Sequence, residues 1–352
     1  MKQAFVALAE VGFCEELPVP AGWENATVRP GFLPGITTVI LSCNEEVHIG
    51  RAIASALTFS REVLVVDSFS SDRTVQIARG MGARVVSNAW INYARQFRFA
   101  LEECGIDTEW VLRLDADEVI GSDLAARLAA AVPALPMEVT GIVLNRRHVF
   151  MGRWIRHGGR YPLQLLRLWR NGIGEIEDRW MDEHVLVREG RTIEIDGAFS
   201  DICERDIAFF ISKHTGYAGR EAIDVLDRKY GLFGTAPEIS TRSSGRQARL
   251  KRVIKERIYY RLPFGAGPFC YFLYRYFLQR GFLDGVEGLI YHVMQGFWYR
   301  FTVDIRRLEL EQAIKGCATR EDRLAALRAA TGLRLPTPQG PECRSGPARL
   351  VA

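Results

Sequence analysis

The chain has 352 residues, of which 48% are hydrophobic and 25% charged, with a formal net charge of +4. That length suits one large domain or two ordinary ones, and the apolar fraction supplies a sizeable core, which excludes a disordered chain. The small net charge makes no case for nucleic acid, and no stretch has the run of about 18 apolar residues that a membrane-spanning helix needs.

The opening "MKQAFVALAEVGFCEELPVP" starts like a secretory signal, but Glu10, Glu15 and Glu16 cut its apolar run short. Pro18, Pro20, Pro30 and Pro34 then mark residues 1–35 as an irregular lead-in. Regular structure follows. "ITTVILS" reads as a strand, and "NEEVHIGRAIASAL" as a helix with Ile49, Ile53 and Leu57 on one face and Asn44 near its cap. "EVLVVD" is a second strand. "SSDRTVQIARGMG" is a helix, with Asp72 at its start and Gly82 as its stop. "ARVVS", "YARQFRFALEECG" and "WVLRLD" continue as strand, helix and strand. Apolar strands alternating with helices predict an α/β fold, a doubly wound and mostly parallel sheet covered on both faces. Such sheets bind ligands beyond the carboxyl ends of their strands, which sets Cys43–Asn44, Asp67–Ser68 and Asp115–Asp117 along one rim.

After residue 135 strand-like runs mix with Arg, His and Gly, and predict an antiparallel extension of the sheet. "DIAFFISKHTGYAGREAIDVLDRKY" is helical. Residues 242–261 carry eight Lys and Arg against one acid, Glu256, and an aromatic-rich segment runs from Phe264 to Phe301. The last thirty or so residues are polar and Pro/Gly-rich, and are expected to fray. The seven cysteines are scattered and never form a C-x-x-C pair, which argues for a reducing compartment and against a thiolate zinc site.

The chemistry concentrates at "WVLRLDADEVI". On a strand, residues two apart point the same way, so Asp115 and Asp117 would face one ligand together. Two convergent carboxylates suit Mg²⁺ or Mn²⁺, with substrate phosphates completing the shell. The plainer reading is a turn whose acids cap the helix at "SDLAARLAAAV", but Ser122 and Asp123 already supply that cap. Asp72 has a similar capping reading, whereas Asp67 ends a strand with nothing obvious to cap.

"TTVILSCNEEVHIGRAIASAL", "VLVVDSFSSDRTVQIARGMGARVV" and "WVLRLDADEVI", in that order, resemble the motifs of family 2 inverting glycosyltransferases of the bacterial cell-surface polysaccharide and lipopolysaccharide type. The resemblance runs over about residues 36–310. It implies a GT-A fold, a nucleotide-sugar donor and a divalent metal. The family's Asp-x-Asp falls on Asp115 and Asp117, its nucleotide pocket on Ser42, Asn44, Glu46 and Asp67, and the second acid of its following turn on Asp72. Relatives often carry Gln-Arg-Asn on the third helix; here Phe97 and Arg98 stand in those places, so Arg98 is either a diphosphate contact or a stem packed at the core edge. Aligning "MDEHV" with the family nominates Glu183 as the base that takes the acceptor proton, with Asp182 the runner-up. In "FMGRWIRHGGRYP", Trp154 and His157 are candidates for a sugar pocket, Trp154 equally for plain core.

The expected organisation is a lead-in (1–35), a GT-A domain (36–235), a basic and aromatic helical region lying on a membrane (236–310) and a tail (311–352). The expected partners are a nucleotide-sugar donor, a UDP-sugar by preference with guanine and thymine left open, a lipid-linked or polysaccharide acceptor, and the membrane surface, without nucleic acid. The expected place is cytoplasmic, peripheral at the inner face of the cell membrane. Two other readings stand beside this one: a nucleotidyltransferase, which would show a glycine-rich basic loop where "SCNEEVHIG" has acids, and a non-catalytic nucleotide-sugar-binding protein, against which the intact aspartate pair counts.

Overall fold

Strand alternation decides which side chains enter which core, and "ITTVILS" is buried at every position. The computed structural model describes residues 35–176, 185–233, 263–333 and 335. The lead-in through residue 34, the candidate bases Asp182 and Glu183, the basic stretch 242–261 and the residues after 335 lie outside the described residues.

The first half alternates β1 (Ile36–Ser42), α1 (Ile49–Leu57), β2 (Glu62–Asp67), α2 (Thr74–Gly80), β3 (Arg84–Ser87), α3 (Tyr93–Glu103) and β4 (Trp110–Asp115). It continues with β5 (Glu118–Ile120), α4 (Ser122–Ala131), β6 (Val139–Phe150), β7 (Arg153–Trp154), β8 (Gln164–Arg170), β9 (Gly174–Ile176), β10 (Val185–Val187), β11 (Arg191–Ile202) and α5 (Ile207–Tyr230). The main sheet has the order β3-β2-β1-β4-β8-β6-β11-β5, with β7 beside β6 and a separate β9–β10 ladder. β1 to β4 are parallel. β8 is antiparallel to both β4 and β6, so β6 and its parallel neighbour β11 again run with β1. The α/β fold with a mostly parallel sheet is therefore present. The extension beyond residue 135 is mixed rather than antiparallel, because β8 inserts between β4 and β6 and restores their common direction.

Two layers cover the sheet. Ile36 and Ile40 of β1 pack with Ile53, Leu124 and Leu128 of α1 and α4. Val39 and Leu41, one residue out of phase, pack with Phe97 and Ala100 of α3 and with Trp169. Burial on both faces is why these strands read as unbroken apolar runs.

Two expectations are corrected here. Helix α1 begins at Ile49, not near Asn44. The amides of Asn44, Glu45 and Glu46 are bound instead by the side chains of Ser70, Thr74 and Asp72. The first part of the expected fraying tail is also helical. Helix Arg320–Thr331 opens on a capping box made by Thr319 and Asp322. Leu324 and Leu327 are buried against Ile223 and Leu226 of α5 and against Leu310 and Ile314. Two well-placed leucines and a cap outweigh a polar composition.

Between α5 and this helix, residues 266–313 form a run of helical segments. Among the described residues no helix is long and apolar enough to cross a membrane.

Candidate active site

The rim begins where β1 and β2 end side by side, with Ser42 in register with Asp67. Two loops leave from there and are laced together by side chains. Asn44 takes a left-handed backbone (φ 55°), and its Oδ1 accepts from the Ser71 amide at 2.8 Å. Its own amide donates to Ser70 Oγ at 2.8 Å. Glu46 donates its amide to Asp72 and receives the Arg73 amide and guanidinium on Oε2. Asp72 also accepts from the Thr74 amide at 3.0 Å, one residue into α2, so it serves the helix start as well as the loop. Burial opposes its ionisation, but the hydrogen bonds from Thr74 and Glu46 outweigh that and hold its carboxyl below the ordinary range.

Asp67 is buried, and both its oxygens are spent inside this cradle. Oδ1 accepts from Ser42 at 2.9 Å and Ser70 Oγ at 2.5 Å, and Oδ2 accepts from the Ser70 amide at 2.8 Å. Its place in this structure is to shape the rim.

At the end of β4 the chain turns at Ala116–Asp117 before β5. Asp117 therefore stands on a turn, and the expectation that it shares a strand face with Asp115 is corrected. The two carboxylates remain the part-exposed ones, at 28% for Asp115 and 20% for Asp117, while Glu118 is 1% exposed. Asp115 accepts from the Tyr93 hydroxyl at 2.5 Å, with Arg113 and Arg167 at 3.7 and 3.6 Å. Burial works against its charge, but Arg167 and Arg113 win and bring its pKa to about 2. Asp117 goes the other way. Burial, then the charges of Asp201 and Asp115, push its pKa up against the pull of Lys213, whose ammonium lies 3.5 Å away. Glu118 accepts from the Asp115 amide at 2.9 Å and Arg167 at 2.6 Å. Its own pKa is lifted to about 8, by burial first, opposed by Arg167 and aided by Asp115.

The far wall comes from β6 and β11. His148 Nδ1 donates to Asp201 at 2.9 Å, and Arg146 lies 3.7 Å from the same oxygen. Among the described residues no group of three or more His, Cys, Asp or Glu side chains is placed to hold a metal. Two hard carboxylates, one of them strained by its acidic neighbours, nonetheless fit a Mg²⁺ or Mn²⁺ that takes its remaining ligands from phosphate and water.

The outer candidates divide. Arg98 is half-buried on α3, without an ion-pair partner among the described residues. Trp154 stands edge-on to Tyr161 at 4.9 Å, with the Arg147 and Arg156 guanidinium carbons 5.1 and 5.3 Å from its ring. Its indole N–H is buried without a partner among the described residues. His157 is committed elsewhere: its ring and amide bind the buried Asp284 at 2.6 and 2.8 Å. Sequence reasoning missed Tyr93, Glu118, Arg146, Arg167, Asp201 and Lys213. An acid closing the long strand "TIEIDGAFSD" was the one legible sign, for Asp201.

Residues 37–191 match the family described as Glycosyl transferase family 2. Over 89 residues the chain is 45% identical to a glycosyltransferase of Rickettsia typhi, a stretch covering 25% of this chain and 30% of that protein. Over 160 residues it is 30% identical to the lipopolysaccharide core biosynthesis glycosyltransferase LpsC of Rhizobium meliloti, covering 44% of this chain and 58% of that one. The matched stretch thus spans under a third of the Rickettsia relative's length and rather more than half of LpsC. A crystal structure of glucosyl-3-phosphoglycerate synthase from Mycobacterium tuberculosis, in complex with Mn²⁺, UDP and glucosyl-3-phosphoglycerate, is similar at 22% identity over 34% of this chain and 50% of that chain. Its TM-score of 0.27 is too low for the likeness to bear on the site.

Proposed function

We propose, from the match of residues 37–191 to the family described as Glycosyl transferase family 2, that the chain is an inverting, metal-dependent glycosyltransferase. It moves a sugar from a nucleotide-sugar donor, a UDP-sugar by preference, to a hydroxyl of a lipid-linked or polysaccharide acceptor in cell-envelope glycan synthesis. One observation supports this above the rest: two part-exposed carboxylates, Asp115 and Asp117, stand at the carboxyl end of the sheet beside a laced loop cradle. The name of LpsC agrees with the envelope assignment.

In the proposed reaction the acceptor oxygen attacks the anomeric carbon as the bond from that carbon to the donor phosphate oxygen breaks. The nucleoside diphosphate leaves with the electron pair. The hydroxyl proton passes to a carboxylate on the opposite face of the sugar, Glu183 or, as runner-up, Asp182. A single displacement inverts the configuration. Asp115 and Asp117 would hold the divalent ion, which when bound supplies positive charge to the departing diphosphate. Ser42, Asn44, Glu46, Asp67 and Asp72 build the cradle proposed for base and ribose. Arg98 is proposed for the diphosphate, and Trp154 offers a ring face to a sugar.

The helical segments after residue 263 are proposed to lie on an anionic bilayer. Phe269, Phe277, Leu278, Phe282, Leu283 and Val286 are all exposed there. The sequence just before them, 242–261, has eight cationic residues against one acid, complementary to lipid phosphate. The chain would then work peripherally at the inner face of the cell membrane.

The test is a melting-temperature panel of the full chain with UDP-, GDP- and dTDP-sugars, with and without Mn²⁺. Stabilisation by the UDP-sugar that requires Mn²⁺ is expected. No response to any of the three would sink the reading.

A further inference from the structure

Beside the site's far wall stand two guanidinium groups, Arg160 and Arg275, without an ion-pair partner among the described residues. Arg275 is buried at 4% exposure and spends its Nε on the Gly158 carbonyl at 2.8 Å, but its Nη2 has no partner. Arg160, half-buried, has a buried Nε without a partner. Both guanidinium carbons stand over the Tyr291 ring, at 5.3 and 5.7 Å. The same ring lies 4.8 Å from His148, which holds Asp201. A chain of contacts thus runs from Asp201, through His148 and Tyr291, to two cations.

Three acidic side chains on the neighbouring helices have other partners. Asp284 binds His157, Glu287 lies 3.6 Å from Arg153, and Glu221 takes Tyr299 and Arg300. The surplus positive potential registers on the groups around it. Burial alone would raise the Tyr271 phenol, yet Arg275, Arg300 and Arg160 together bring it below its usual range. Burial, with Arg275 next, drives His292 down to about 3. Desolvated cations of this kind are costly unless an anion completes them, and guanidinium is the side chain best shaped to receive an oxyanion.

We infer that Arg160 and Arg275 form a subsite for an oxyanion carried by the acceptor, a sugar phosphate or a sugar carboxylate. Arg160 is the more exposed member and Arg275 the buried one. The donor diphosphate is proposed to bind at Asp115 and Asp117 instead. Calling the ligand an acceptor rests on the glycosyltransferase reading; the oxyanion site itself does not.

The test uses the full chain and two separate melting-temperature responses. The first probes are glucose 6-phosphate and glucuronate, with glucose as the neutral control, in metal-free buffer. The second is UDP with Mn²⁺. At least one anionic sugar should stabilise the wild type where glucose does not, and which one responds distinguishes phosphate from carboxylate. R160Q and R275Q should lose that response and keep the one to UDP with Mn²⁺, while R275K keeps both. Should R275Q fail to fold, R160Q decides alone, since Arg160 is the less buried of the two. No response to either anionic sugar in the wild type, or an undiminished response in R160Q, would overturn the subsite. Loss of the UDP response in R160Q would reassign the arginines to the donor. A wild type that answers the anionic sugar but never UDP with Mn²⁺ would leave the subsite standing and remove its assignment to an acceptor.

Discussion

The rim at β1 and β2 and the corner around β7 are both rich in polar side chains, yet they are finished to different degrees. At the rim the side chains of Ser42, Asn44, Glu46, Asp67 and Asp72 all find hydrogen-bond partners within the same pair of loops and their flanking residues. At the corner Arg160, Arg275, Trp154 and His292 each keep at least one buried nitrogen without a partner among the described residues. A ligand at the rim meets a surface that is already satisfied and is selected by its shape. A ligand at the corner would bring charge that the protein lacks. The proposed transferase activity would use both, since one substrate part is shared by many enzymes and the other is particular to its own product.

The comparison breaks first at the carboxylates between the two regions. D115N removes the charge that Arg113 and Arg167 hold in place, and metal-dependent UDP release should fall by at least about a hundredfold. Activity within tenfold of wild type would shift the chemistry away from this rim. Next is the corner's backbone. Gly158 has φ 65°, and a Cβ there would stand 2.1 Å from the His292 ring. G158A should therefore cost about 1–3 kcal/mol in denaturant unfolding, with UDP and Mn²⁺ still binding to the protein that remains folded.

His292 sharpens the contrast through pH. It is fully buried and its folded pKa is about 3, so the folded chain binds fewer protons than the unfolded one between pH 6.5 and 3. Its stabilising share is complete above pH 6.5 and is lost as pH falls, at up to about 1.4 kcal/mol per unit. H292F, whatever its absolute stability, should show a shallower loss between pH 6.5 and 4, read from urea midpoints. An unchanged slope would mean that the ring titrates normally. The smallest effect concerns the outer surface. Leu278 and Phe277 are 76% and 55% exposed, and replacing both with serine should weaken flotation with anionic vesicles by about tenfold. Melting temperature should stay the same.

Much of the rim was legible because its residues follow strands that pattern alone locates. Asp67 and Asp115 close apolar runs, and the parallel order of β1, β2 and β4 brings them together without further information. The opposite wall was not legible. Glu118, Arg146, Arg167 and Asp201 meet only because β8 slips between β4 and β6 and β5 pairs with β11. Alternation tells which face a side chain takes, not which strand will be its neighbour. Lys213 reaches Asp117 from α5, almost a hundred residues further along the chain, and a helical pattern does not announce such a reach. The delayed start of α1 has the same origin: Ser70, Asp72 and Thr74 claim its leading amides from another loop.

That claim makes the loops after β1 and β2 a single mechanical unit. Each supplies the other's hydrogen-bond partners, so neither can be lengthened, shortened or re-sequenced alone without stranding polar groups on its twin. Their conformational entropy is surrendered once, when the chain folds, and not again at each encounter with a ligand. If the proposed nucleotide pocket lies there, altering which base it welcomes would call for paired substitutions, one in each loop.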